Sequence, residues 1–214
     1  MAKRSNWSDE YWLLLMQLYL KKPSGLKPIY CRQMVDLSLE LHIPPQVLYE
    51  QMFRLRQLDT PQLEHLWEKY SKSPQRLARG VKLLRQMKGF GQANMFYEGV
   101  EENETFERDF REIEGHRPLK PVMLILILDL YFRLTPNTMV PETPEIIALA
   151  KRMKMKPEEV TEIMTCYQYC DPYLKRKTPF EHPLMTVCEQ TWQRFGNDSP
   201  EKLAALAAQM KEYF

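Results

Sequence analysis

The chain has 214 residues, 44% of them apolar and 27% charged, with 30 Lys plus Arg against 28 Asp plus Glu and a formal net charge of +2. That is ordinary globular composition, long enough for one large domain or two small ones. Seven glycines are too few for a β-rich fold with many tight turns or for a glycine-rich phosphate cradle, while sixteen prolines punctuate short elements.

At the start of the chain, MAKRSNWSDE places acids ahead of the apolar run, which is not the pattern of a signal peptide. Ser8 is positioned to cap a helix over 9–21, with Tyr11, Leu14, Leu15, Leu18 and Tyr19 inward. A loop with Pro23, Gly25 and Pro28 leads to a helix over 32–42, where Met34, Val35, Leu39 and Leu41 are the core candidates. Pro44 and Pro45 break the chain and open a third helix whose stripe is Leu48, Met52 and Leu55. Pro61 and Pro74 then stand in the first turns of helices over 61–70 and 74–87. No window alternates with period two, so the expected fold class is all-α.

Residues 89–118 differ in kind, with eight acidic and three basic side chains interleaved with Phe96, Tyr97, Phe106 and Phe110. Residues 1–88 hold fifteen basic and eight acidic side chains, and residues 119–214 hold twelve of each. The net charge of +2 therefore hides a basic first part, an acidic middle and a balanced end. The aromatic rings of the acidic segment point to a connector that docks, and its charge to a gate over the basic part. The most apolar run, Val122–Phe132, spans eleven residues and contains Asp129, whereas a membrane span needs about 20. It reads as a buried helix, the protein as cytoplasmic, and the four cysteines as reduced thiols.

Sliding the chain along itself by 112 residues lays Leu13–Asp59 on Ile125–Asp171 without a gap. Eight positions are identical, among them Leu18/Leu130, Tyr19/Tyr131, Leu37/Leu149, Pro45/Pro157, Met52/Met164 and Asp59/Asp171. The apolar positions keep register between them. After an insertion, KRKTPFEHPLMT, the match resumes with Trp67 on Trp192. Two diverged copies are expected: a basic repeat over 1–88 and a second repeat over 119–214, joined by the acidic aromatic connector 89–118.

Trp7-Ser8-Asp9-Glu10, followed by helix, helix, proline-bounded turn and helix, resembles the Myb/SANT-like helix-turn-helix pattern. The run TPEIIALAKRMKMKPEEVTEIM at 143–164, ending near Cys170-Asp171-Pro172, resembles the small helical domain that precedes HNH nuclease domains in bacterial restriction-type proteins. The likeness covers about 60 residues of each copy. It implies contact with nucleic acid, and with no HNH segment in the sequence it implies no cleavage chemistry.

A unit of that type presents the helix after the turn to a groove. In the first copy this helix offers Tyr49, Phe53 and Arg56 at spacings of four and three, with Arg54 and Gln57 adjoining. Arginine reads base edges and aromatic rings stack on unpaired bases. Arg76, Arg79, Lys82 and Arg85 recur every third residue on the fifth helix and are candidate phosphate contacts. The second copy has Thr161, Thr165 and Gln168 beside Glu158, Glu159 and Glu162, a poor partner for phosphate. The plainer account of the cations is a solvated helix face, and the competing function is a protein-interaction adaptor using Tyr49 and Phe53.

Catalytic and metal chemistry find less support. His42, His65 and His116 are scattered, and no HExxH or Ser/His/Asp arrangement is present. A Cys₃His set can be drawn from Cys166, Cys170, His182 and Cys188, but its spacing fits no familiar zinc pattern. Cys170 and Cys188 align with Leu58 and Leu63, as core thiols would. The sequence thus predicts a non-enzymatic binding protein with no cofactor, no metal, no membrane contact and no small-molecule substrate.

Overall fold

The computed structural model describes residues 7–90, 105–174 and 180–214. Among these, all regular structure is helical: eleven α-helices and short 3₁₀ turns, with no strand. The chain divides into two compact units between Glu107 and Arg108, inside the segment read as a connector.

Unit 1 contains α1 (Tyr11–Leu20), α2 (Arg32–Leu41), α3 (Pro45–Gln57), α4 (Pro61–Tyr70) and α5 (Pro74–Gln86). The helix α1 buries Trp12, Leu14, Leu15, Met16 and Leu18, which lie on several sides of the helix rather than on one stripe. Such a helix belongs at the centre, and α1 packs against both α3 and α5. The other helices are amphipathic and bury one stripe each, for example Leu48, Met52 and Leu55 of α3 and Leu77, Val81 and Leu84 of α5. Three helices start with proline in the first turn, where the missing N–H costs no hydrogen bond and the fixed φ suits the helix. The helix α1 begins at Tyr11 rather than residue 9. Ser8 acts through its backbone, its carbonyl accepting from Tyr11 N–H at 3.0 Å, and no side chain caps the helix.

The turn between α2 and α3 is three residues long. His42 adopts the left-handed conformation at φ 55°, and the next N–H, of Ile43, donates back to the Ser38 carbonyl at 3.1 Å. That bond satisfies a carbonyl at the helix end and turns the chain sharply into α3.

A six-residue helix, α6 (Thr105–Phe110), precedes the main body of unit 2, which holds α7 (Pro121–Arg133), α8 (Pro144–Met153), α9 (Pro157–Cys170), α10 (Met185–Phe195) and α11 (Pro200–Met210). The expectation of a buried helix for the most apolar run is met by α7, which buries every residue from Val122 to Tyr131. It packs on α9, α10 and α11. Asp129 is buried there with its carboxylate 2.8 Å from Arg133 and 3.4 Å from Lys211, because a buried charge needs a counter-charge.

Several features recur at the spacings found in the sequence. The bounds of α2 shifted by 112 residues are the bounds of α8, and α3 and α9 both start at the matching proline. Lys154, the counterpart of His42, is left-handed at φ 59°, and Met155 N–H donates to the Ala150 carbonyl at 2.9 Å. Tyr19 meets Trp67 edge-on with centroids 5.8 Å apart, and Tyr131 meets Trp192 in the same way at 5.8 Å. Differences are equally local. Val35 is buried, whereas its counterpart Ile147 is 45% exposed. The helix α3 ends at left-handed Leu58, whereas α9 runs one residue further to Cys170 and leaves through extended Asp171.

Candidate nucleic-acid interface and a thiol cluster

With 3.6 residues per turn, Tyr49, Phe53 and Arg56 fall on one side of α3, next to the core stripe. Tyr49 is half-buried, while Phe53, at 43% exposure, and Arg56 are open to solvent. Arg54 falls on the opposite flank. Its Nε donates to Asp59 at 2.7 Å, its Nη1 to Gln51 at 3.2 Å, and its guanidinium lies 5.8 Å from the Trp12 ring centroid. The predicted set is therefore split: three residues share a face and Arg54 is engaged within the unit.

A similar division holds on α5. A three-residue step turns about 60° short of a full helical revolution, so Arg76, Arg79, Lys82 and Arg85 wind around the outside of the helix instead of forming one row. Arg76 ends beside α4, over the Tyr70 ring at 5.6 Å. Arg85 ends beside α2, where it holds Glu40 through two bonds of 2.5 and 2.7 Å. That pairing raises the Arg85 pKa further above its usual value. Arg79 and Lys82 lie between them, exposed. Among the described residues no ion pair engages Arg56, Arg79 or Lys82.

The counterpart face in unit 2 is closed off. The Thr161 and Thr165 hydroxyls donate to the backbone carbonyls of Glu158 and Thr161, and Gln168 is buried with its amide on Met139 Sδ at 3.2 Å. Of the acidic connector, Glu98, Glu101, Glu102 and Glu104 lie outside the described residues. Glu107 meets His42 Nδ1 at 2.9 Å, Asp109 holds Arg194 through bonds of 2.7 and 2.9 Å, and Glu112 pairs with Arg117 at 3.1 Å. These three carboxylates thus have partners other than the cations of α5.

Unit 1 also has a cleft of about 750 Å³ between α1, α2 and α5. Leu14, Leu18, Leu37 and Leu77 supply apolar lining, and Lys21 and Arg85 stand with Asp36 and Glu40. The two signs of charge balance there, so the cleft adds no anion-binding field to the α3 face.

A second cluster belongs to unit 2, and sequence spacing gives no sign of it beyond a loose Cys₃His set. Cys166 of α9 and Cys188 of α10 are both fully buried, and their thiols hydrogen-bond to one another. His182 Nδ1 lies 3.4 Å from Cys166 Sγ and accepts from Leu184 N–H at 3.2 Å. Tyr169, Phe180 and His182 stack nearly parallel, with centroid separations of 4.4 and 5.8 Å, which fixes the imidazole plane. Bonding from Cys188 lowers the Cys166 pKa. Cys170, one turn on, is pushed up to about 12, chiefly by burial and then by Glu189. Among the described residues no group of three or more His, Cys, Asp or Glu side chains is arranged to hold a metal ion, and no helix is long and apolar enough to cross a membrane.

Comparison with protein-family models, with curated proteins and with solved structures gives no match to this chain.

Proposed function

We propose that the protein is a pair of related five-helix modules, and that unit 1 binds nucleic acid through the helix-turn-helix formed by α2 and α3. Support for the duplication comes from the paired left-handed caps at His42 and Lys154 and the paired Tyr–Trp contacts. The observation that carries the binding reading is the outer face of α3. It follows a three-residue turn and exposes Phe53 and Arg56 beside Tyr49. Arg79 and Lys82 add cations on α5. Arg54 and Arg85 are spent inside the unit, so the footprint is smaller than the sequence suggests. Metal, cofactor and catalytic roles have no part in this reading.

The size of the footprint sets the test. Each neutralised phosphate of duplex DNA contributes about −0.9 to the slope of log K against log salt, so three cations give a slope of about −2 to −3. Fluorescence anisotropy of the full chain with mixed-sequence duplex and single-stranded oligonucleotides, titrated with salt, reads it directly. Arg56→Glu, or Arg79→Glu with Lys82→Glu, reduces affinity and flattens the slope. Absence of binding at low salt rejects the reading.

A second reading, a protein-interaction adaptor, is favoured by the apolar exposure of Phe53. Binding of that kind tolerates salt and fails on Phe53→Ala, since a buried aromatic anchor dominates such an interface.

A further inference from the structure

Three of the four cysteines and one of the four histidines belong to one end of the α9–α10 pair, and unit 1 has none of them at matching positions. Cys166 stands where α3 has Arg54, and Cys188 where α4 has Leu63. His182 comes from the insertion that unit 1 lacks. A packing role explains Cys188 alone, since it fills a leucine position in the core. Packing does not explain why the inserted segment brings an imidazole to 3.4 Å from the other thiol of a hydrogen-bonded pair, nor why Phe180 and Tyr169 stack to hold that imidazole flat against the site.

We propose that Cys166 and Cys188 form a dithiol site that hydrogen peroxide converts to an intramolecular disulfide. The Leu184 N–H directed at His182 Nδ1 marks that nitrogen as the one with the lone pair, so it accepts the Cys166 proton. The Cys166 thiolate attacks one peroxide oxygen and the O–O bond breaks. The departing hydroxide takes the proton from the imidazolium as water, leaving a sulfenic acid on Cys166. The Cys188 sulfur then attacks the Cys166 sulfur. An S–S bond forms, the S–O bond breaks, and the second hydroxide leaves with the Cys188 proton as water. Two thiols and one peroxide give one disulfide and two waters, the peroxide being reduced by two electrons.

Burial selects the oxidant. Neither sulfur has solvent exposure, so a small neutral peroxide reaches the pair and a bulky disulfide reagent does not. Cys170 remains a thiol because its raised pKa keeps it protonated.

The test uses the full native chain, treated with hydrogen peroxide, quenched, denatured and assayed for thiols. Two of the four thiols are lost, and a non-reducing peptide map joins the Cys166 and Cys188 peptides. An aromatic disulfide reagent added to the native chain leaves this pair intact. In Cys188→Ala the sulfenic acid on Cys166 persists long enough for capture by a cyclic diketone, and Cys31→Ser changes nothing. Retention of all four thiols, loss confined to Cys31, or oxidation of Cys166 to sulfinic acid without the crosslink in the unsubstituted chain overturns the proposal. The peptide map of the unsubstituted chain decides the matter even if a cysteine variant fails to fold.

Discussion

Ser38 is fully buried on α2, and its hydroxyl has no hydrogen-bond partner among the described residues. Its counterpart in the second unit is Ala150, also buried, at the same place before a left-handed cap. Removing the hydroxyl with Ser38→Ala should therefore stabilise the protein. A buried hydroxyl without a partner costs about 1–3 kcal/mol in protein mutational series, and alanine adds a few tenths, about 0.5 kcal/mol at most, in helix propensity. Against this, a void of roughly 15 Å³ costs about 0.4 kcal/mol at about 24 cal/mol per Å³. The expected gain is about 1–2 kcal/mol. If unit 1 melts by itself this raises its Tm by about 4–8 °C for each kcal/mol. Urea denaturation at an unchanged m-value measures it, and the reverse change, Ala150→Ser, should lower stability by a similar amount. A Ser38→Ala protein less stable than its parent by more than about 0.5 kcal/mol would show that the hydroxyl has a partner, and would refute the reasoning.

Two glycine substitutions should have opposite signs. At Gly80, inside α5, an added Cβ meets nothing nearer than Leu13 at 3.7 Å, so Gly80→Ala should stabilise by about 0.5–1 kcal/mol. At Gly196 the same atom falls 2.7 Å from the Trp192 ring, and Gly196→Ala should destabilise by about 1–3 kcal/mol; thermal melts of the pair decide. Asp109→Asn breaks a two-bond pair between a carboxylate that is 5% exposed and Arg194 at 32%. It should cost an amount toward the lower end of about 3–5 kcal/mol, read by chemical denaturation. Alkali should weaken the fold. Burial raises the Tyr167 pKa well above its usual value and holds Cys170 at about 12, so above about pH 9 the unfolded chain sheds protons that the native state keeps. Stability then falls as pH rises, by at most about 1.4 kcal/mol per pH unit for each group and by less for Cys170, whose partial exposure screens it; a flat Tm between pH 8 and 11 would contradict this assignment.

The helices are legible because proline and apolar spacing are local signals. The predicted bounds of α3 and α4 agree with those observed, and α5 ends one residue earlier, at Gln86. The stripe Leu48, Met52, Leu55 follows from periodicity alone. What sequence cannot supply is the tertiary neighbour. Arg54 and Arg85 look like any solvated cation until Asp59 and Glu40 are placed beside them, and a three-residue recurrence looks like a face until the helical angle is followed. Cys166 and Cys188 escape sequence reasoning for the same reason. Twenty-one residues and an insertion lie between them, and a thiol in a leucine position gives no local sign of a second thiol against it. Ser8 misleads because its carbonyl does what its hydroxyl is expected to do.

The packing of Trp192 has a practical consequence. Three of the four tryptophans, Trp7, Trp12 and Trp67, belong to unit 1, while Trp192 is the sole indole of unit 2 and is surrounded by Tyr131, Phe132 and Tyr167 at 5.5–6.2 Å. Replacing the first three by phenylalanine leaves one fluorophore whose emission follows a single half of the chain. Its transition, overlaid on that of backbone circular dichroism, distinguishes a molecule that melts all at once from one whose halves let go at different temperatures.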